Sequence, residues 1–429
     1  MEHPIGRVHV VRRRGTLVAA TPPQRRALQW YSQAIAGVKQ RMSDKDALPT
    51  ALLTCILFAC IEVQQGNPKN GLSLVQQGVQ LFAEYLNIAP KDGPPGYKIL
   101  DEVVIPYFSQ HAIFVATFGL SLLSHATQAI QDMEVSPILT AGRETSEWSI
   151  GELKQQLYRL LFRSYELIRS AALILDDAPE LETFTPYQMA ILADLQRWRA
   201  RFDQAREMIG ADRMEWIISY LFMHYHVAYI WVSICLSSDE TGADQHTEGF
   251  TEVVAHADEY LQRRSVQQAD SELCTFGAEI IPPLYFTVTK CRHPHLRRQA
   301  LYLIEHLPKS GTFWAMIPVV AILKNLIAFE EKRKATWNGA ELCLPAPDQR
   351  VHHIQLIKLE QSTGVAARFV TFVPDEKGSR MMEEHVVQLD PEFRLLEDAA
   401  SLRLDMSPAA FDMETPRMFT TTPLVETLV

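Results

Sequence analysis

Cys291, His293 and His295 alternate within one short run, a thiol and two imidazoles of the kinds that ligate zinc. A closed zinc site takes four ligands, and no fourth stands nearby, so the spacing argues against a metal centre. His224 and His226 are two apart, which on a helix sends them to different faces. His352 and His353 are adjacent in a strand-like run and are expected to diverge. The cations Arg292, Arg297 and Arg298 carry planar forks that fit carboxylate or phosphate. They support two readings, a basic surface patch or internal pairing that anchors helices. Asp176 and Asp177 close a helical run and read as loop or cap residues. There is no G-x-S-x-G, G-x-G-x-x-G, Walker A or H-E-x-x-H pattern. The expectation is therefore no catalytic residue, no metal and no cofactor.

The elements that must hold these residues are mostly helical. Pro282 and Pro283 stiffen the chain ahead of an apolar run. His293 can cap and Pro294 can open the next helix, where a missing N–H costs nothing. Leu296, Ala300, Leu303, Ile304 and Leu307 then recur at helical spacing. Further helices are expected at residues 23–42, 47–65, 68–86, 99–131, 150–175, 186–209, 213–236, 251–264, 273–290, 294–306 and 313–333. The helix at 47–65 is apolar all round and should be central. Gly71 and Gly78, seven apart, permit close helix approach on the helix that follows it. Residues 351–359 and 367–373 are rich in β-branched and aromatic side chains and read as a β-hairpin, and 391–405 as a last amphipathic helix. The fold class is thus all-α, a multi-helix domain of antiparallel helical hairpins with a small C-terminal β-hairpin at about 351–374. No fixed repeat period points to a solenoid.

Residues 216–236 carry no formal charge and are long enough to span a bilayer as a helix. Two histidines, two serines and three tyrosines lie in that stretch without flanking Lys/Arg clusters, which favours a buried core helix and no membrane.

Composition agrees with a globular chain: 429 residues, 47% hydrophobic and 21% charged. The six cysteines are scattered in apolar or helical contexts, no N-x-[ST] sequon occurs, and no signal peptide is visible. These features point to a reducing compartment, nucleus or cytoplasm. The net charge of −10 hides an asymmetry. Residues 1–41 hold eight Lys/Arg against Glu2, and residues 381–429 hold ten Asp/Glu against Arg394, Arg403 and Arg417. Three parts follow: a basic arm over 1–22, a helical domain over 23–380, and an acidic tail over 381–429. The arm reads as a solvated terminus or as a nucleic-acid or nuclear-import segment. The tail interleaves acids with Phe393, Leu395, Leu396, Leu402, Leu404, Met406 and Phe411, so it reads equally as an activation segment or a docked helix.

The run at 280–308, with Pro282, Pro283, Cys291, Arg292, Pro294, Arg297 and Arg298, resembles the regulatory (middle homology) region of fungal six-cysteine zinc-cluster transcription factors, where PLY…KCR-x-P-x-x-RR-x-A is common. Residues 48–82 look like that family's LL-x-C-x-LF-x-x-x-E…GN…G segment. Residues 313–330, with Trp314, followed by 347–351, with Arg350, look like its GTFWA…E…P-x-x-RV segment. One departure is Leu74, where the family often has His. The larger one is that no C-x2-C occurs, so the zinc cluster is missing from these residues. The resemblance implies a structural role for the motif residues, internal pairing of the arginines, and a nuclear transcriptional regulator of a local gene cluster such as secondary-metabolite biosynthesis. Without its own zinc cluster such a chain is expected to meet DNA only indirectly, through a protein partner or a homodimer, with a small-molecule effector. The alternatives are a stand-alone sensor or scaffold, with an apolar ligand pocket near 216–236, and a recruited pathway enzyme.

Overall fold

The computed structural model describes residues 10–13, 16–19, 48–64, 148–172, 182–209, 215–237, 240–267, 280–307, 319–332, 344–358, 365–374 and 380–389, with single positions between 26 and 37, between 71 and 78, and at Tyr107. Two short strands, β1 (Val10–Arg13) and β2 (Thr16–Ala19), pair antiparallel in register within the basic arm. Eight longer helices follow: α1 (Leu48–Gln64), α2 (Ile150–Ala172), α3 (Thr185–Ile209), α4 (Glu215–Ile234), α5 (Thr247–Gln267), α6 (Ile281–Lys290), α7 (Pro294–Glu305) and α8 (Val319–Lys332). A three-stranded antiparallel sheet, β3 (Val351–Lys358), β4 (Val365–Pro374) and β5 (Arg380–Gln388), closes the described order. The architecture is the expected helical body with a small C-terminal sheet.

The middle of the body is α4. Along Ile217–Ile234 the mean hydropathy is 1.3, and this is the one described helix long and apolar enough to cross a membrane. Yet 72% of that stretch is buried inside the protein, where α2, α3, α5 and α6 pack around it. An apolar surface on all sides is what a helix surrounded by helices requires. Its polar groups are met in kind. Tyr158 on α2 donates to Tyr220 (3.3 Å), and the Gln188 amide donates to the carbonyls of Val232 (2.7 Å) and Ser233 (3.2 Å) at the end of α4. Carbonyls in the last turn of a helix lack an amide partner within it, so α3 supplies one. At Gly249 an added Cβ would meet Ile230 Cδ1 at 3.0 Å, so the glycine lets α5 approach α4 closely.

Aromatic rings weld α2, α3, α4 and α6. Trp198 stacks on Phe202 at 4.9 Å and on Tyr225 at 5.6 Å, while Trp231 meets Tyr165 edge-on and Phe286, each at 5.2 Å. The Trp198 indole donates to the Leu153 carbonyl at 2.8 Å.

Local chemistry sets several boundaries. Ser149 and Glu152 form a reciprocal capping box at the head of α2: Glu152 N–H donates to Ser149 Oγ (3.2 Å) and Ser149 N–H to Glu152 Oε2 (3.0 Å). His293 caps α7, accepting from Leu296 N–H at 3.5 Å, and Pro294 opens it. The helix expected over 273–290 is described from Ile281, and Pro282 and Pro283 occupy its first turn, where an absent donor is tolerated.

Three expectations change. Leu57 on α1 is 54% exposed, so that helix is not enclosed on every side. The sheet has a third strand, β5, inside the segment assigned to the acidic tail; Glu383 and Glu384 made it read as tail, while backbone pairing with β4 holds it from Arg380 to Gln388. His352 and His353 do not diverge. A bulge between Val351 and His353 puts both rings beside Phe372, with centroids at 4.9 and 6.1 Å. The helix expected over 23–42 is described only at Arg26, Trp30, Gln33 and Gly37, all helical, and that over 99–131 only at Tyr107. Gly71 and Gly78 are both buried. The helix at 391–405, Trp314, Cys274 and Cys343 lie outside the described residues.

Replacing Trp198 by Ala is expected to cost about 3–5 kcal/mol, from lost ring packing and the cavity it leaves. Trp198→Phe should cost less, mainly the lost indole hydrogen bond to the Leu153 carbonyl and the smaller ring. Urea unfolding of the two variants beside the wild type measures both.

Candidate functional site

Of the residues singled out from sequence, Arg292, Arg297 and Arg350 converge at one buried junction where α6, α7, α8, β3 and the turn between α4 and α5 meet. α6 ends at Lys290, and Cys291 caps its C-terminus through its own N–H to Thr287 O at 2.9 Å. A three-residue connection then reverses the chain into α7. Arg292 sits in that connection and Arg297 one turn into α7, and both side chains are buried. Between them lies Glu330 of α8, also fully buried. Its Oε1 is 3.2 Å from Arg292 and its Oε2 is 2.6 Å from Arg297. Glu330 Oε1 also accepts the Val351 N–H at 2.8 Å, and Arg292 donates to the Val351 carbonyl at 3.1 Å. One carboxylate thus fastens the first residue of β3 to α6, α7 and α8. Arg297 Nε adds a bond to the Val288 carbonyl at 2.7 Å, tying α7 back to α6.

A second carboxylate continues the network. Glu240, in the turn after α4, accepts from Lys290 Nζ at 2.6 Å and Arg292 at 3.2 Å, and His352 Nδ1 lies 3.8 Å away. Arg350, buried ahead of β3, grips the same turn. Its two terminal nitrogens fork onto Asp244 at 3.0 and 2.7 Å, and it donates to the carbonyls of Glu240 and Pro345, both at 2.9 Å. Lys290, Arg292, Arg297 and Arg350 therefore face Glu240, Asp244 and Glu330.

Charge pairing governs protonation here. Burial alone would raise the Glu240 carboxyl, yet the Lys290 ammonium, then Arg292 and His352, outweigh it and hold it at about 2. Burial opposes Arg292 and Arg297 at Glu330 in the same way and loses, so Glu330 also lies below its ordinary value. Burial pulls Lys290 down despite Glu240. The Cys291 thiol is pushed up by burial, which makes it a poor nucleophile or ligand. Among the described residues no group of three His, Cys, Asp or Glu side chains converges to hold a metal ion. His293 is occupied as a helix cap, and His295 is exposed.

Arg298 departs from its neighbours. It lies on the outer face of α7, half-exposed, and pairs with Glu331 at 2.5 Å. Pro282, Pro283 and Pro294 shape the two helix starts. Sequence reasoning missed Glu240, Asp244 and Lys290. Glu240 and Asp244 lie in a polar turn whose composition marks it as surface, and only the fold brings them to Arg292 and Arg350.

A second polar seam runs over α3, α4 and α5. Arg199 lies 4.1 Å above the Phe222 ring, pairs with Asp203 at 2.8 Å and approaches His226 Nε2 at 3.5 Å. His256 stacks on Phe222 at 5.0 Å and sits 3.4 Å from Glu259, which also accepts from Ser219 at 2.6 Å. Burial, with Arg199 and His256 as neighbours, pushes His226 down to about 4. Burial likewise lowers His256, against Glu259 and Glu252.

No family model matches the chain, and no solved structure matches it. Over 198 residues it is 24% identical to the Aspercryptin biosynthesis cluster-specific transcription regulator of Emericella nidulans. The match covers 43% of this chain and 31% of that protein, so the chain spans about a third of the length of the relative it matches. The similarity relates the chain, distantly, to a fungal transcription regulator.

Glu330→Gln leaves two guanidinium groups facing a neutral amide in a buried site, and the expected loss is about 3–5 kcal/mol. Arg298→Ala, at an exposed pair, should cost under about 1 kcal/mol; urea melts of both variants test the contrast. Stability should fall with acid over two pH ranges. The folded chain binds fewer protons than the unfolded one wherever a pKa is depressed, so stability present above the unfolded value falls with pH. His226 and His256 act first, His226 between about pH 6.5 and 4. Glu240 follows between about 4.5 and 2. His226→Gln should flatten the fall over the first range in urea midpoints measured from pH 7.5 to 4.

Proposed function

We propose that this chain is the regulatory body of a fungal transcription regulator, acting on gene expression without catalysis of its own. The observation that carries this reading is the 198-residue similarity to a cluster-specific transcription regulator. The buried junction supports it by giving the family-like residues a shared architectural task. Lys290, Arg292 and Arg297 join Glu330 and Arg350 in one network that fixes helices, sheet and turn together. A module of that kind presents a rigid surface to partners. These 429 residues contain no C-x2-C pair, and on this reading they reach DNA through a protein that carries the reader. Its place of action is the nucleus, and its targets are genes of a local biosynthetic cluster.

Deletion of the gene followed by transcript sequencing tests the proposal. The expected result is lost or altered expression of a contiguous gene set, with the tagged protein recovered at those promoters by chromatin immunoprecipitation. The purified chain alone should not shift promoter DNA in a gel. An unchanged transcriptome and an empty precipitation would overturn the regulatory reading. Sequence-selective DNA binding by the purified chain would overturn the partner requirement.

A further inference from the structure

β5 is the outermost strand of its sheet, and among the described residues no strand pairs with its far side. Edge strands in soluble proteins are commonly short, bulged or blocked by charge. This one pairs with β4 without a register shift over nine residues and exposes Met381 (53%), Met382 (60%) and Val386 (53%). A regular, partly apolar edge that no described strand covers is a site for strand addition.

We infer that the occupant is a second copy of this chain, bound through β5 against β5 as an antiparallel pair. The sequence of the strand supplies the argument. In a continuous two-fold sheet, opposed residues share a face, so the axis must pass midway between the two copies of one residue. Centred on Glu384, the register sets Met382 opposite Val386 of the second copy and Met381 opposite Val387, each twice by symmetry. Glu383, already 3.3 Å from His385 of its own strand, falls opposite His385 of the second copy, also twice, and Arg380 opposite Gln388. Every apolar residue then meets an apolar one, and each flanking acid meets an imidazole. Centring on Glu383 instead opposes Met382 to Glu384 and two Glu383 side chains to each other. Centring on His385 opposes Val386 to Glu384 and Val387 to Glu383. Both alternatives oppose apolar side chains to charge. At the preferred axis the two Glu384 carboxylates approach one another, and each has Arg368 of its own protomer within 3.5 Å as counter-charge. The result is a six-stranded sheet across two protomers. A single-strand seam buries less than a standard interface, so association in the micromolar range is expected. Dimerisation of this kind requires nothing of the transcription reading.

The test uses the full chain. Sedimentation equilibrium should show a concentration-dependent dimer for the wild type and a monomer for the M382K/V386K double variant, whose circular dichroism should be unchanged. Single cysteines report the register. E384C should form an intermolecular disulfide under mild oxidation, because opposed residues on paired strands lie within disulfide reach. M382C alone should not, since the two copies would be offset by four residues, about 13 Å. A wild type that stays monomeric, a dimer that survives the double variant, or cross-linking of M382C in place of E384C would overturn the assignment. If the double variant misfolds, the cysteine pair still decides.

Discussion

The carboxylate of Glu330, buried between Arg292 and Arg297, is the interaction on which the arrangement of this molecule turns. A lone carboxylate taken out of water costs several kcal/mol, and so does a lone guanidinium. Each is tolerated here only because the others are in place. Glu330 uses both oxygens on arginines and still accepts the Val351 amide. The elements that contribute to this cluster therefore hold a single relative geometry, because any slip would strand a charge without water or partner.

Around that junction the body follows ordinary packing logic. α4 is apolar enough to need helices on most sides, and the rings of Trp198, Phe202, Tyr225, Trp231 and Phe286 fill the gaps between them. Hydrophobic contact sets the closeness of these helices, while the ion network sets their register. Apolar cores tolerate rearrangement if volume is kept, whereas buried charge pairs do not.

Much of the helical layout was legible from local chemistry. His293 and Pro294 mark a helix start whatever the rest of the chain does, and the apolar spacing of α3 and α4 identifies them within a few residues. The KCR run and the first arginine of RR could be recognised as belonging to the interior only through resemblance to a family, since an arginine pair looks alike on a surface and in a core, and Arg298 does lie on the surface. Glu240 and Asp244 were not legible at all. They lie in a short polar turn, and their meaning depends on Arg350 more than a hundred positions away in sequence. β5 was hidden for another reason: its two glutamates drew it into a charge count, although backbone pairing with β4 tolerates charged side chains at a sheet edge. The bulge at His352 likewise has no composition cue, and it undid the alternation that sends neighbours on a strand apart.

The reach of Arg350 to Glu240 and Asp244 has a bearing on how the polypeptide is made. The turn that carries the two acids leaves the ribosome well before the arginine that will clamp it. At typical elongation speeds about 110 residues take roughly 5–20 seconds. During that interval the nascent helices can form and collapse, yet their polar junction stays open and hydrated. Closure comes only after the segment ahead of β3 has emerged, so the body matures late and as a unit, and a chain cut short before residue 350 would display α6 and α7 as an unfinished surface for chaperones to hold.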